Sequence, residues 1–130
     1  MANKRSLSLV EELLAEKSAV LSKAQALTAM GMALTAQPLW ASAASLEERI
    51  APLLEAHGDD LEAAVHRISA ASCYEKAGDA SRAANLYRAA LAGPLAEVTR
   101  NEVLGMLAAC LARLKASAGP RTPRRVTPAS

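Results

Sequence analysis

Aromatic residues are scarce in this 130-residue chain, which has no Phe, one Trp and two Tyr. Residues that favour strands are also few, since Val and Ile together number eight. Ala and Leu, which favour helices, occupy 50 positions, 31 and 19 respectively. The composition therefore excludes a sheet protein and predicts one all-α domain, because a chain of this length holds a single core.

Cysteine is scarce as well. Cys73 and Cys110 are separated by 36 residues and cannot form the disulfide framework of a small secreted protein. No signal peptide is expected, because Glu11 and Glu12 follow the basic Lys4 and Arg5 closely. The sequence therefore predicts a cytoplasmic protein with two buried thiols.

Patterns that carry chemistry are missing too. The two His and two Cys match no metal-ligand spacing, and there is no glycine-rich phosphate loop or nucleophile–base arrangement. The acidic groups at 47–48 and 59–62 could be paired carboxylates, but each falls where a helix is expected to begin, and acids there stabilise the helix dipole. We therefore expect no catalytic residue, no metal and no cofactor, and interpret the chain as non-enzymatic.

Charge is absent from Ala24 to Leu46, a run of 23 residues. This length would cross a bilayer, but polar residues interrupt the run and its apolar bulk is Ala rather than Leu or Ile. We interpret the run as a helical surface that the core or a partner covers, not as a membrane span.

The net charge of +2 conceals a segregation of charge. Eight bases and all 13 acids lie between Ser6 and Ala112, so this body has a net charge of −5 and both ends are basic. Residues 117–130 contain three Pro and three Arg but almost no bulky apolar side chain. We predict a folded domain over residues 6–116, a disordered N-terminus at 1–5 and a disordered basic tail at 117–130.

Periodicity and capping residues predict five helices. The first is expected from Ser8 to about Ala36, ended or kinked by Pro38, with Gly31 as an alternative break. The second is expected from a capping box at Ser45 and Glu48 to His57, kinked or split at Pro52.

The remaining helices have clearer boundaries. Asp59 or Asp60 is expected to cap the third helix, which ends at Ala77–Gly78, and Asp79 caps the fourth, which ends before Gly93–Pro94. The fifth is expected from about Leu95 to Ala116, with these side chains directed inward: Val98, Val103, Leu104, Leu107, Leu111 and Leu114. Short connections then give a five-helix antiparallel stack.

Residues 64–94 resemble a tetratricopeptide repeat. A small residue is followed three positions later by an aromatic, then by a Gly–Asp turn and a small–aromatic–small series: Ala71, Tyr74, Gly78, Asp79, Ala83, Tyr87 and Ala90. Small residues let two helices approach, and the aromatics fill the space between them. Arg67 departs from the pattern, since the family prefers a bulky aromatic there. Degenerate copies are expected 34 residues upstream, at Trp40, and downstream, at Leu104–Gly105.

The resemblance implies a protein-interaction module. Tetratricopeptide folds bind a peptide or a partner helix in a groove lined by the first helix of each repeat, and the matching positions here are Val65, Ile68, Ser72, Glu75 and Lys76. These positions lack the Lys/Asn cluster that some members use to hold a terminal carboxylate, so the expected ligand is an apolar or helical segment of a partner protein. An adaptor, or a chaperone like the small bacterial secretion chaperones, is the implied function. Val65 and Ile68 could equally be core residues.

Two further expectations concern partners. Met30, Leu34 and Trp40 in the uncharged run predict an apolar surface that forms a homodimer or a heteromer, unless Trp40 fills a gap in the core. The alternative function is that of a nucleic-acid-associated regulator acting through the basic tail, although no aromatic residue is interleaved with the arginines of the tail.

Overall fold

The chain folds into five α-helices. The computed structural model describes residues 4–118, which contain α1 (Lys4–Ala29), α2 (Ala33–Ala56), α3 (Asp60–Lys76), α4 (Ala80–Leu91) and α5 (Glu97–Ala118). Within these residues there is no strand, so the all-α class is confirmed.

The ends of the domain differ slightly from the prediction. Lys4 and Arg5 belong to α1, and Ser117 and Ala118 belong to α5, although both pairs are expected to lie outside the domain. The rest of the predicted N-terminal segment and tail, 1–3 and 119–130, lies outside the described residues.

The first three interhelical turns share one hydrogen-bonded form, centred on Gly31, Gly58 and Gly78. Each glycine has a positive φ, between 79° and 85°. The residue after each glycine donates its N–H to the carbonyl five residues earlier at 2.9 Å, and the glycine donates to the carbonyl three residues earlier. This is the Schellman arrangement, which satisfies the last carbonyls of a helix and reverses the chain.

Side-chain caps begin the next two helices. Asp59 accepts a hydrogen bond from the backbone N–H of Glu62, and Asp79 accepts one from Arg82. Both residues are the N-caps of their helices, as the sequence predicts, with Asp59 chosen over Asp60.

Each helix packs against the next one along the chain, which produces an antiparallel stack. The hairpin of α1 and α2 lies beside the hairpin of α3 and α4, and α5 packs on α4. A bidentate ion pair between Arg67 and Glu55, at 2.8 and 2.9 Å, joins α3 to α2 and holds the pKa of the Glu55 carboxyl below its usual range.

The core is built from small residues. Its fully buried positions are mainly alanines, and the largest of its fully buried side chains are Tyr87, Ile50, Val103 and Cys110. Alanine faces allow close approach of neighbouring helices, and the two tyrosines and Trp40 fill the space that remains. The close helical stacking expected from the composition is therefore present.

The prediction that the first helix continues to about Ala36 is wrong, and the alternative break at Gly31 is correct. Gly31 ends α1, and α2 then continues from Ala33 to Ala56 through both Pro38 and Pro52. Ser45 therefore lies inside α2 and starts no helix. Both prolines lie on the exposed side of α2, where water can solvate the carbonyl that each ring leaves unbonded.

The expected upstream repeat copy is also wrong in its register. A repeat copy with Trp40 at its first aromatic position would need a turn a few residues later, as at Gly78 after Tyr74, but α2 continues through this region from Ala33 to Ala56. The hairpin that precedes α3 and α4 is instead formed by α1 and α2.

The expected inward face of α5 is only partly correct. Val103 is fully buried, and Leu107 and Leu114 pack against the core. The other three are exposed, by 72% for Val98, 48% for Leu104 and 38% for Leu111. Three of the six side chains predicted to face inward are therefore exposed.

Candidate functional site

A groove lies between α1 and α3, with α2 behind it. It encloses a cavity of about 530 Å³. Three helices contribute its lining: Lys17, Leu21, Gln25, Thr28, Ala29, Trp40, Glu47, Ser69, Ser72, Cys73 and Lys76. We call this cavity the α1–α3 groove. Its walls come from the first helices of two successive hairpins, and its floor comes from the second helix of the first hairpin.

Trp40 forms the floor of the α1–α3 groove in a fixed position. The indole is only 5% exposed and donates its Nε1–H to Thr28 Oγ1 at 3.1 Å. Thr28 in turn donates to the carbonyl of Ala24 at 2.8 Å. The Lys76 ammonium lies 5.0 Å from the centre of the indole ring, so a cation–π contact joins the floor to the α3 wall.

A buried carboxylate lies deeper in the same groove. Glu47 is only 3% exposed, and among residues 4–118 it is the one charged residue that is buried. His66 Nδ1 donates to Glu47 Oε1 at 2.6 Å, and Lys17 Nζ lies 3.8 Å from Glu47 Oε2. Three helices thus meet at one carboxylate, because Lys17 comes from α1, Glu47 from α2 and His66 from α3. Pairing of this kind compensates for the loss of hydration on burial.

Cys73 faces this carboxylate from α3. Burial, and then the negative charge of Glu47, raise the pKa of the Cys73 thiol. A thiol whose pKa is raised is a poor nucleophile at neutral pH. Among residues 4–118, no three His, Cys, Asp or Glu side chains are placed to hold a metal ion together.

A second cavity, of about 520 Å³, lies between α3 and α5. Glu75 of α3 lines this cavity, and it accepts hydrogen bonds from the Tyr87 hydroxyl of α4 and from the Arg113 guanidinium of α5. The carboxylate is thus engaged by two neighbouring helices. It holds α3, α4 and α5 together, and its oxygens are already partnered.

Of the residues predicted for the groove, Ser72 and Lys76 line the α1–α3 groove. Lys76 Nζ donates to Ser72 Oγ at 3.2 Å. Glu75 lines the second cavity instead. Ile68 packs against the core, whereas Val65 is 40% exposed, so the alternative core interpretation fits Ile68 and not Val65.

The three residues predicted for a partner surface do not lie on one surface. Met30 is 69% exposed and Leu34 is 79% exposed, and both lie at the turn between α1 and α2. Trp40 belongs to the core, as the alternative had it. Met30 and Leu34 are therefore accessible from solvent, while Trp40 is buried and lines the α1–α3 groove.

Sequence reasoning missed Glu47 and Lys17. The local pattern places Glu47 in the first turn of a helix, where acids are common. On a continuous α2 it occupies the apolar stripe of Trp40, Ala44 and Ala51, at helical spacing. A carboxylate on that stripe is the signal of a buried, partnered charge, but it is visible only once Pro38 and Pro52 are placed inside the helix.

Comparison with known proteins gives no family. No family model, no curated protein and no solved structure matches the chain. In the part of the chain that the structure describes, no helix combines the length and hydropathy of a membrane span.

Proposed function

We propose that this chain is a non-enzymatic protein-interaction module that holds a segment of a partner protein in the α1–α3 groove. The observation that carries the proposal is the position of the groove, between the first helices of two successive hairpins. Tetratricopeptide folds, which the Ala71–Pro94 run resembles, bind their ligands on the face formed by such first helices.

The lining of the groove supports a peptide ligand. Leu21, Ala29 and Trp40 provide apolar surface, and Gln25, Ser69 and Ser72 provide polar side chains along the walls. Amides and hydroxyls can bond to the N–H and C=O groups of a peptide backbone, while the apolar surface accepts its side chains. An adaptor or chaperone that holds an apolar segment with a polar backbone fits this combination.

Filling the groove tests the proposal. Ser72→Arg places a long cationic side chain in the cavity, whereas Ser45→Arg adds the same side chain on an exposed position of α2. We expect a partner captured from cells of the source to be retained by the wild type and Ser45→Arg, and lost by Ser72→Arg. Equal retention by both variants would contradict the proposal.

Trp40 gives a direct reading of occupancy, because it is the single Trp of the chain and lies at the floor of the groove. A peptide of the captured partner should change the Trp40 emission in the wild type and not in Ser72→Arg. Binding should also depend weakly on salt and survive removal of residues 119–130. Nucleic-acid binding through the tail would instead weaken steeply with salt and disappear with the tail.

A further inference from the structure

The outward side of α5 is an exposed helical face with a coiled-coil spacing. Six exposed positions recur at intervals of four and three residues: Glu97, Asn101, Leu104, Ala108, Leu111 and Lys115. We call this row the α5 seam. It lies on a different side of α5 from Val103 and Cys110, the buried residues that attach α5 to the rest of the fold. Its length is about 27 Å at the rise of an α-helix.

The centre of the α5 seam is apolar. No charged residue occurs between Glu102 and Arg113, yet only Val103 and Cys110 in that stretch are buried. Leu104 is 48% exposed and Leu111 is 38% exposed, and a Cβ added at Gly105 beside them would meet no atom within 4 Å. A helix that is apolar around its whole circumference is expected to be covered on both sides.

The shape of the seam is complementary to itself when two copies run antiparallel. With a twofold axis at Ala108, this alanine meets its own copy at the centre, and Leu104 of one copy lies beside Leu111 of the other on one side of it. The small side chain at the centre allows the helices to approach closely, so that the leucines of the two copies can pack together. In a parallel pair, each leucine would face its own copy.

The charges at the two ends of the seam favour the same arrangement. Glu97 is at the N-terminal end and Lys115 is at the C-terminal end, and both are exposed. In the antiparallel pair Lys115 lies beside Asn101 of the second copy, within one helical turn of its Glu97. A parallel pair would bring like charges together at each end.

We propose that the α5 seam is the dimerisation surface of this protein, and that a second copy of the chain binds there antiparallel about a twofold axis at Ala108. This surface is distinct from the α1–α3 groove and from the Met30–Leu34 turn. The basic tail is a poor occupant of the seam, because residues 119–130 contain Val126 as their one large aliphatic side chain.

Sedimentation equilibrium of the full chain tests the proposal. We expect a dimer for the wild type and a rise of about tenfold or more in the dissociation constant for Leu104→Glu, because the new charge would be buried in the pair. Leu104 is exposed in the single chain, so the helical circular dichroism of this variant should stay unchanged. Leu34→Glu, which changes the most exposed of the large apolar residues, is the control and should remain dimeric.

A monomeric wild type at all concentrations would overturn the proposal. So would a dimer that Leu34→Glu dissociates and Leu104→Glu does not. In a charge exchange, Lys115→Glu should weaken the dimer, and adding Glu97→Lys to it should restore the dimer. Lack of restoration would contradict the antiparallel arrangement.

Disulfide cross-linking tests the position of the twofold axis. Ala108→Cys should form a disulfide with its own copy under mild oxidation, because the two residues meet at the axis. Leu104→Cys should not, since its two copies would lie about 12 Å apart along the helices. A cross-link at 104 and none at 108 would indicate a different pairing and overturn the proposal.

Discussion

Glu47 is the residue whose environment differs most from its sequence signal. It is buried at the junction of α1, α2 and α3, and its two oxygens face the His66 ring and the Lys17 ammonium. A buried carboxylate in such a cluster stabilises one arrangement of the three helices, because any shift would leave a charge without a partner.

Removal of this charge should therefore destabilise the protein. We expect Glu47→Gln to lower the free energy of unfolding by about 1–3 kcal/mol, since the amide makes weaker hydrogen bonds and leaves Lys17 without its carboxylate. Urea denaturation measures the change. Glu12→Gln, on an exposed position of α1, is the matched control and should stay within about 0.5 kcal/mol of the wild type. Equal effects of the two substitutions would show that the cluster contributes nothing.

Tyr87 carries a pH dependence. Its hydroxyl donates to Glu75, and burial followed by this carboxylate raises the pKa of Tyr87 above its ordinary value of 10.0. In the unfolded chain the phenol ionises near that ordinary value. The contribution of Tyr87 to stability is therefore fully present below about pH 10 and is lost as the pH rises further.

Tyr87→Phe should separate the contribution of the hydrogen bond to Glu75 from the contribution of phenol ionisation. We expect it to lower the free energy of unfolding at pH 7 by about 1 kcal/mol, because the hydrogen bond to Glu75 is lost. Above about pH 10 its stability should fall less steeply than that of the wild type. Urea denaturation at a series of pH values up to about 11 measures both. Parallel pH profiles for the two proteins would assign the alkaline loss to other groups.

At the scale of elements, the turns are better defined by the sequence than the helices they join. Gly58 has a φ of +80°, and a Cβ there would meet no atom within 4 Å. Its conformation is therefore the sole obstacle to a side chain.

Gly58→Ala should lower the free energy of unfolding by about 1 kcal/mol because of this strain. Gly58→Asn should cost less, since Asn tolerates the left-handed region. Thermal or urea denaturation of the two variants gives the comparison. An Ala variant as stable as the wild type would mean that the turn can change its conformation without loss of packing.

The boundaries of α3 and α4 could be predicted because caps and turn glycines act locally. Asp59, Gly78 and Asp79 set those boundaries by hydrogen bonds within a few residues. The extent of α2 could not be predicted, because burial of Trp40 and Ile50 on its inner face outweighs the local effect of Pro38 and Pro52. The packing of α2 against α1 and α3 decides whether the helix continues through the prolines, and a local sequence pattern carries no information about that packing.

The same limit applies to the candidate site at the scale of the whole molecule. Ser72 and Lys76 could be placed in the α1–α3 groove from the repeat pattern of α3 alone. Lys17, Gln25 and Thr28 could not, because α1 matches no repeat pattern and reaches the groove only through its packing on α2. The residues of a site shared by three helices can be predicted only from those helices whose own sequence matches a known pattern.

The order in which the helices pack also has a kinetic consequence. Since each helix packs mainly on its neighbour in the chain, most stabilising contacts join residues that are close in sequence. Such a topology closes only short loops during folding, and chains of this kind fold rapidly. A polypeptide leaving the ribosome could complete each hairpin before the next is synthesised, so the α1–α3 groove would exist as soon as α3 is made.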